Sequence, residues 1–180
     1  MSRFIQWGIL GYARIARHSV MSAIQHSKNG RVLAVGSSDP AKLELARQEF
    51  GIERTYLSYE QVLADPEVEA VYIPLPNSLH CPWTIAALEA GKHVLCEKPL
   101  GLNASEVRRM ADAARANDRL LMEAFMYRYS DRMRQVGEIL ASGQLGEIRN
   151  INASFRFTLA SKDPTRLDPA LGGGALYDVG

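Results

Sequence analysis

Glu97, Lys98 and Pro99 stand in a row at the end of a short apolar run, His93–Cys96, in this chain of 180 residues. A lysine beside a carboxylate can polarise a carbonyl or alcohol oxygen, and burial with neighbouring charge can tune its ammonium toward proton transfer. Pro99 then halts regular structure. A second polar cluster, Leu75-Pro76-Asn77-Ser78-Leu79-His80, follows another apolar run, Ala70–Ile73. A third, Gly11-Tyr12-Ala13-Arg14-Ile15-Ala16, follows Phe4–Leu10, which has Gly8 inside it. This third cluster has the form of a dinucleotide-binding turn with alanine at the second and third glycine positions. The first glycine permits the tight turn, and small residues let backbone amides and a helix N-terminus approach a pyrophosphate. Two of these clusters have a plainer alternative: Glu97–Lys98 as a surface ion pair, and the glycine turn as one that binds nothing. A strand before the turn and a helix after it are the context that binding demands.

The end of the second apolar run selects the cofactor. An enzyme using NAD places a carboxylate there for the ribose hydroxyls, whereas one using NADP places basic or small polar groups. The run ends Gly36-Ser37-Ser38-Asp39, with Lys42 one turn further on. Ser37 and Ser38 can hydrogen-bond a 2′-phosphate, with Lys42 supplying charge, and Asp39-Pro40 reads as a helix N-cap with a first-turn proline. The pattern points to NADP, with NAD the alternative cofactor. The competing reading makes Ser37, Ser38 and Lys42 ordinary turn and surface residues.

Strands are predicted at Phe4–Leu10, Arg31–Gly36, Ala70–Ile73, His93–Cys96 and Leu120–Phe125. Helices are predicted from Arg14 to Gln25, with Ile15, Val20 and Ile24 sharing a face, and from Pro40 to Phe50. Others follow over Tyr59–Ala64, from about Cys81 to Ala90, and after a capping box at Asn103 and Glu106 to Asn117. Such alternation predicts an α/β fold, a doubly wound parallel sheet of the Rossmann type, over residues 1–122. Residues 123–180 read as the incomplete beginning of an α+β domain with an open-faced mixed sheet. In that part Arg132–Ser142 is a predicted helix, and Glu147–Thr158 alternates with the period of a half-buried strand. The pattern stops in mid-element at Leu176–Gly180. A strand edge without neighbours predicts self-association.

A net charge of +1 lacks the basic excess of a nucleic-acid binder. The locally basic stretch at 128–134 is interrupted by Asp131 and reads as a solvated helix face. No apolar stretch has the length of a membrane span, and no leader is read at the start. Two cysteines, Cys81 and Cys96, have neither metal-ligand spacing nor the number for a disulfide framework. They are expected to be reduced, which suits the cytoplasm, and no metal site is expected.

The combination resembles the glucose–fructose oxidoreductase, inositol dehydrogenase and rhizopine-catabolism (Gfo/Idh/MocA) family of NAD(P)-dependent oxidoreductases. The matching stretches are GILGYARIA at 8–16, AVYIPLPNSLH at 70–80, AGKHVLCEKPL at 90–100 and GGGALYDVG at 172–180. Within that family the chain is similar to the branch holding glucose–fructose oxidoreductase, D-xylose dehydrogenases and dimeric dihydrodiol dehydrogenase. The segment Ser37-Ser38-Asp39-Pro40-Ala41-Lys42 is similar to that branch's NADP-selecting segment. The resemblance implies hydride transfer between the nicotinamide and a secondary alcohol or carbonyl of a sugar, cyclitol or dihydrodiol, in a homo-oligomer. By the same resemblance Lys98 and Asp178 are the catalytic pair, and the Lys98–Pro99 bond is a candidate for cis. The implied cofactor-binding set is Gly11, Tyr12, Ala13, Arg14, Ile15, Ser37, Ser38, Lys42, Leu75, Asn77, His80, Glu97, Lys98 and Arg166. Arg128 is implied near the substrate. The chain departs from the family in having Thr165 before Arg166, where a tryptophan is common, and in lacking a proline after Arg128. The family's acid–base residue, a tyrosine in this branch and a histidine in others, falls beyond Gly180. A chain that binds the dinucleotide without turnover is therefore the alternative function.

Overall fold

The apolar runs align side by side as β1 (Ile5–Leu10), β2 (Gly30–Gly36), β3 (Arg54–Tyr56), β4 (Ala70–Ile73), β5 (His93–Cys96) and β6 (Leu121–Glu123) in a computed structural model. The structure describes residues 3–158 and 164–179. All strand pairs are parallel, in the order β3-β2-β1-β4-β5-β6. The chain therefore winds outward from β1 to β3, returns past β1, and continues through β4 to β6. This is the order of the doubly wound dinucleotide fold, whose crevice opens where the winding reverses, here between β1 and β4. The short edge strand β3 is an addition to the predicted set. It has only three residues, too few to carry a periodic signal.

Between the strands run α1 (Met21–His26), α2 (Pro40–Phe50), α3 (Tyr59–Ala64), α4 (His80–Glu89) and α5 (Ala104–Ala116). Alternate strand side chains feed two cores. Ile9, Val35 and Tyr72 pack with Met21 and Ile24 of α1 and Leu43 of α2. Leu10, Val71 and Ile73 pack on the other face with Val62 of α3, Leu88 of α4 and Ala114 of α5. Asp39 caps α2, its carboxylate accepting from the Ala41 amide at 2.9 Å, and Asn103 caps α5 by accepting from the Glu106 amide at 3.0 Å. Gly8 has a packing reason, since a Cβ there would come within 2.6 Å of Val62 Cγ1.

The first helix differs from its predicted form. Ahead of α1, residues Ala16–Val20 form a π-helical turn, and the Met21 amide bonds to the Ala16 carbonyl. The extra residue in that turn moves the buried stripe to Ala16, Met21 and Ile24, replacing the predicted Ile15, Val20 and Ile24.

After β6 come α6 (Asp131–Ala141), α7 (Pro164–Leu167) and α8 (Ala175–Val179). The predicted strand at Glu147–Thr158 does not form: the segment has no regular structure, and Ile151 and Phe155 are 81% and 70% exposed. Alternation describes a strand that has a sheet to face, and among the described residues no neighbouring strand lies beside this one. No described helix is long and apolar enough to cross a membrane.

At the amino ends of the strands, a buried charge network joins three elements. Arg54 of β3 donates to both Asp65 oxygens at 2.9 Å, and Tyr56 donates to Asp65 at 3.0 Å. Lys92, buried just before β5, donates to the carbonyls of Asp65 and Val68 at 2.7 and 2.8 Å, and burial pulls its pKa down. Burial alone would raise the Asp65 carboxyl. The hydrogen bonds from Arg54, the Glu67 amide and Tyr56 outweigh burial and hold it below the usual carboxylate range.

A depressed folded pKa gives stability that is complete above the ordinary aspartate range near about pH 4 and is lost as pH falls from there through the lower folded value. Asp65→Asn is therefore expected to lower the unfolding free energy by about 2 kcal/mol at neutral pH in urea titration, with the gap to the parent chain closing in acid. The exposed apolar side chains of 147–158 are expected to drive association, visible as a scattering mass that rises with concentration. A constant monomer mass would count against this.

Candidate functional site

Four strand ends converge on one cleft of about 1050 Å³. The turn after β1 brings Gly11 through Ile15. Gly11 has φ +102°, and a Cβ there would meet Leu75 Cδ2 at 3.0 Å, so the backbone stays open only with glycine. Arg17 N–H closes the first helical turn on the Ala13 carbonyl at 3.0 Å. The amides before it belong to a helix start, where donors lack intrahelical partners and suit an anion.

Tyr12 is turned away from that anion position. Its ring is buried edge-on to Phe50, and its hydroxyl donates to Glu49 at 2.7 Å. Burial first, and then the Glu49 hydrogen bond, push the phenol well above its ordinary pKa. Arg17 pairs with the same carboxylate, so this corner of the turn is bound to α2.

At the end of β2, Ser37 is buried and its hydroxyl accepts from the Asp39 amide at 3.2 Å, while Ser38 and Lys42 are exposed on the cleft rim. Asp39 reaches the same rim, with its Oδ1 accepting in the cap of α2. Two hydroxyls and one ammonium thus share this rim with the capping carboxylate.

Leu75 and Asn77 line the wall after β4, and Glu97 and Lys98 line it after β5. The Lys98–Pro99 bond is cis. Glu97 is held from behind by Tyr72, fully buried in β4, whose hydroxyl donates to Glu97 Oε1 at 2.6 Å. Burial, and then the Glu97 charge, raise the Tyr72 pKa. Lys98 Nζ donates to Asp178 Oδ1 at 2.9 Å and to its carbonyl oxygen at 2.5 Å. Arg166 approaches the other Asp178 oxygen at 3.7 Å and lies 5.5 Å above the Phe157 ring centroid.

The glycine run secures this last segment. Asn77 donates to the Gly172 carbonyl at 2.8 Å, and Tyr177 donates to the Leu102 carbonyl at 3.3 Å. Gly172 has φ +77°, and a Cβ there would strike Leu102 at 2.5 Å.

Of the residues singled out in the sequence, two lie off the cleft. His80 is fully buried behind the wall, with both ring nitrogens against backbone carbonyls. Arg128 is exposed on a 3-10 turn whose Met126 reaches the cleft instead. Sequence reasoning overlooked Tyr72, although a lone hydroxyl inside an apolar strand signals a buried partner. Tyr59 was also overlooked. It borders the cleft with its hydroxyl 3.6 Å from where a Gly11 Cβ would stand, and nothing in its sequence context marks it. Among the described residues no His, Cys, Asp and Glu cluster has the makings of a metal site.

The glycine turn, the switch-point crevice and the Glu97–Lys98 wall match a family model, described as an oxidoreductase family with an NAD-binding Rossmann fold, over residues 5–125. The chain belongs to the Gfo/Idh/MocA oxidoreductase family. Residues 133–180 match that family's C-terminal domain. The chain is 43% identical over 177 residues to a D-xylose 1-dehydrogenase (NADP+) of Haloferax volcanii, covering 98% of this chain and 54% of that protein. It is 39% identical over 178 residues to a trans-1,2-dihydrobenzene-1,2-diol dehydrogenase of Mus musculus, covering 98% and 53%. A 3-ketoreductase from Actinomadura kijaniata, crystallised with NADP, superposes with a TM-score of 0.75 at 38% identity, covering 81% of this chain and 46% of that one. The chain spans about half the length of the relatives it matches.

Because Tyr12 faces α2 and not the helix start, Tyr12→Phe is expected to cost about 1 kcal/mol of stability while leaving dinucleotide affinity unchanged. Thermal melting and NADPH titration of the same sample separate the two effects.

Proposed function

We propose that this chain is the dinucleotide-holding part of an NADP-dependent dehydrogenase acting on CH–OH groups. Its substrate class is a sugar, cyclitol or dihydrodiol. The observation that carries this reading is the convergence of the Gly11 turn, the Ser37–Lys42 rim and the Glu97–Lys98 wall on one cleft. When bound, a nicotinamide dinucleotide supplies or accepts the hydride. The amides at the start of the first helix hold its pyrophosphate, and Ser37, Ser38 and Lys42 hold a 2′-phosphate. Glu97, fixed by Tyr72, borders the nicotinamide end. Lys98 steadies charge developing on the substrate oxygen, and Asp178 orients Lys98 while neutralising part of its charge. Arg166 adds a second cation near Asp178.

The choice of NADP over NAD rests on the rim, where two hydroxyls and Lys42 suit a phosphate and Asp39 serves as the α2 cap. The substrate class rests on relatives named for xylose, a dihydrodiol and a dideoxy-ketosugar. The two cysteines, buried and unpaired, fit a reducing compartment such as the cytoplasm. Assembly into a homo-oligomer is part of the same reading.

The test is direct. NADPH fluorescence should be enhanced and saturable, and Lys42→Ala combined with Ser38→Ala should weaken NADPH about tenfold while sparing NADH. Equal loss of both would remove the 2′-phosphate assignment. Oxidation of a panel of sugars and diols, lost in Lys98→Ala, would establish turnover. Binding that persists without turnover on the panel would restrict the function of this chain to holding the cofactor.

A further inference from the structure

Tyr59 opens α3 and is half-buried at the carboxyl edge of the sheet. Its ring lies against the ends of β2 and β1. A Cβ on Gly36 would come within 3.2 Å of Tyr59 Cδ1, and one on Gly11 would stand 3.6 Å from the Tyr59 hydroxyl. The Gly11 amide donates to the Gly36 carbonyl at 2.8 Å, so the ring packs on a fixed pair of glycines. Trp83 of α4 meets it edge-on, with centroids 4.9 Å apart. The chain leading into Tyr59 is also held, because the Ser37 amide donates to the Tyr56 carbonyl at 3.0 Å.

Packing accounts for the ring but not for the hydroxyl. Among the described residues the Tyr59 oxygen has no hydrogen-bond partner, and it is not one of the polar atoms sealed from solvent. The side chain borders the cleft, so the cleft is where that oxygen is open. Burial pushes the phenol above its ordinary pKa, so at neutral pH the oxygen keeps its proton and can both donate and accept. A ring packed on its body and wet at its tip suits a ligand that offers an apolar plane beside polar groups.

Position along the cleft selects the part of the ligand. The Ser37–Lys42 rim follows β2 and the Glu97–Lys98 wall follows β5, with β1 and β4 between them. Tyr59 packs at the β2 and β1 ends, between that rim and the glycine turn. If the rim takes a 2′-phosphate and the turn a pyrophosphate, the adenosine lies between the two.

We propose that Tyr59 is a cofactor-binding residue whose ring forms part of the floor under the adenosine half of the dinucleotide and whose hydroxyl hydrogen-bonds to that half. This assignment rests on the dinucleotide reading above. It also explains why a phenol, and not a phenylalanine ring, fills the space between Gly11, Gly36 and Trp83.

The test is calorimetric titration of the full chain with NADPH and with adenosine 2′,5′-bisphosphate, which carries the adenosine half alone. Tyr59→Phe keeps the ring and removes the hydroxyl. It is expected to weaken both ligands about fivefold, with no fall in melting temperature. A loss for NADPH alone would overturn the adenosine assignment. Unchanged affinity for both, or a lowered melting temperature without loss of affinity, would make Tyr59 a packing residue only. Failure of the parent chain to bind either ligand would overturn the dinucleotide reading and this assignment with it. Should Tyr59→Phe not fold, the parent chain decides the matter by NMR. Nuclear Overhauser contacts from the Tyr59 ring protons to the adenosine protons of the bound bisphosphate are expected, and their absence from an otherwise saturated complex would overturn the proposal.

Discussion

Parallel pairing imposes the constraint on which the whole site depends. Every strand must enter the sheet at one edge and leave at the other, so all six carboxyl ends gather along a single line. Helices must then carry the chain back. Those after β1 and β2 pack on one face, and those after β3, β4 and β5 pack on the other. The turns after β1 and β4 part to opposite faces, and the space they vacate is the cleft. Nothing in this needs a loop to be folded around a ligand. The opening is a by-product of winding, and the residues bordering it are whichever ones follow the strands. Chemistry is available there because glycine, serine, asparagine and lysine occupy those positions.

The two edges of the sheet use charge differently. At the amino edge, Asp65, Arg54 and Lys92 are satisfied by one another and by backbone carbonyls, and they join β3, β4 and β5 into a unit. At the carboxyl edge, Lys98, Asp178 and Arg166 form a chain of alternating charge that remains partly open to solvent. The first arrangement suits rigidity, because a buried ion has no other partner to choose. The second suits exchange, since a partly exposed ammonium can trade a protein carboxylate for an incoming oxygen at modest cost.

The fold was legible because its signals are local. Val71 and Val94 sit in apolar runs that have no solvent side to alternate with, and Asp39, Asn103 and Gly51 mark helix ends with their own backbone chemistry. Most of the cleft was legible for the same reason, as its residues follow those runs directly. What escaped depends on contacts between segments far apart in the chain. His80 was expected on the cofactor because of where it falls in a motif, yet its ring is claimed by two carbonyls that sequence cannot bring together. Tyr12 lies in the expected turn and borders the cleft, and its hydroxyl is held by Glu49, a helix away, a partner that sequence does not show. The alternation of 147–158 was read correctly as a pattern and incorrectly as a structure, because a strand is a property of a pair.

The π-helical turn at Ala16–Val20 has a consequence for how relatives of this chain are compared. It holds one residue more than an α-helix needs to join the glycine turn to the buried face of α1. A chain one residue shorter in this region could connect the same two ends with ordinary α-helical geometry. A single-residue gap there would then record an insertion absorbed inside a helix, and not a lost loop. Side chains on either side of the gap would keep their places while those within the turn rotated to new directions. Aligned columns through 16–20 would therefore pair residues that face different surroundings.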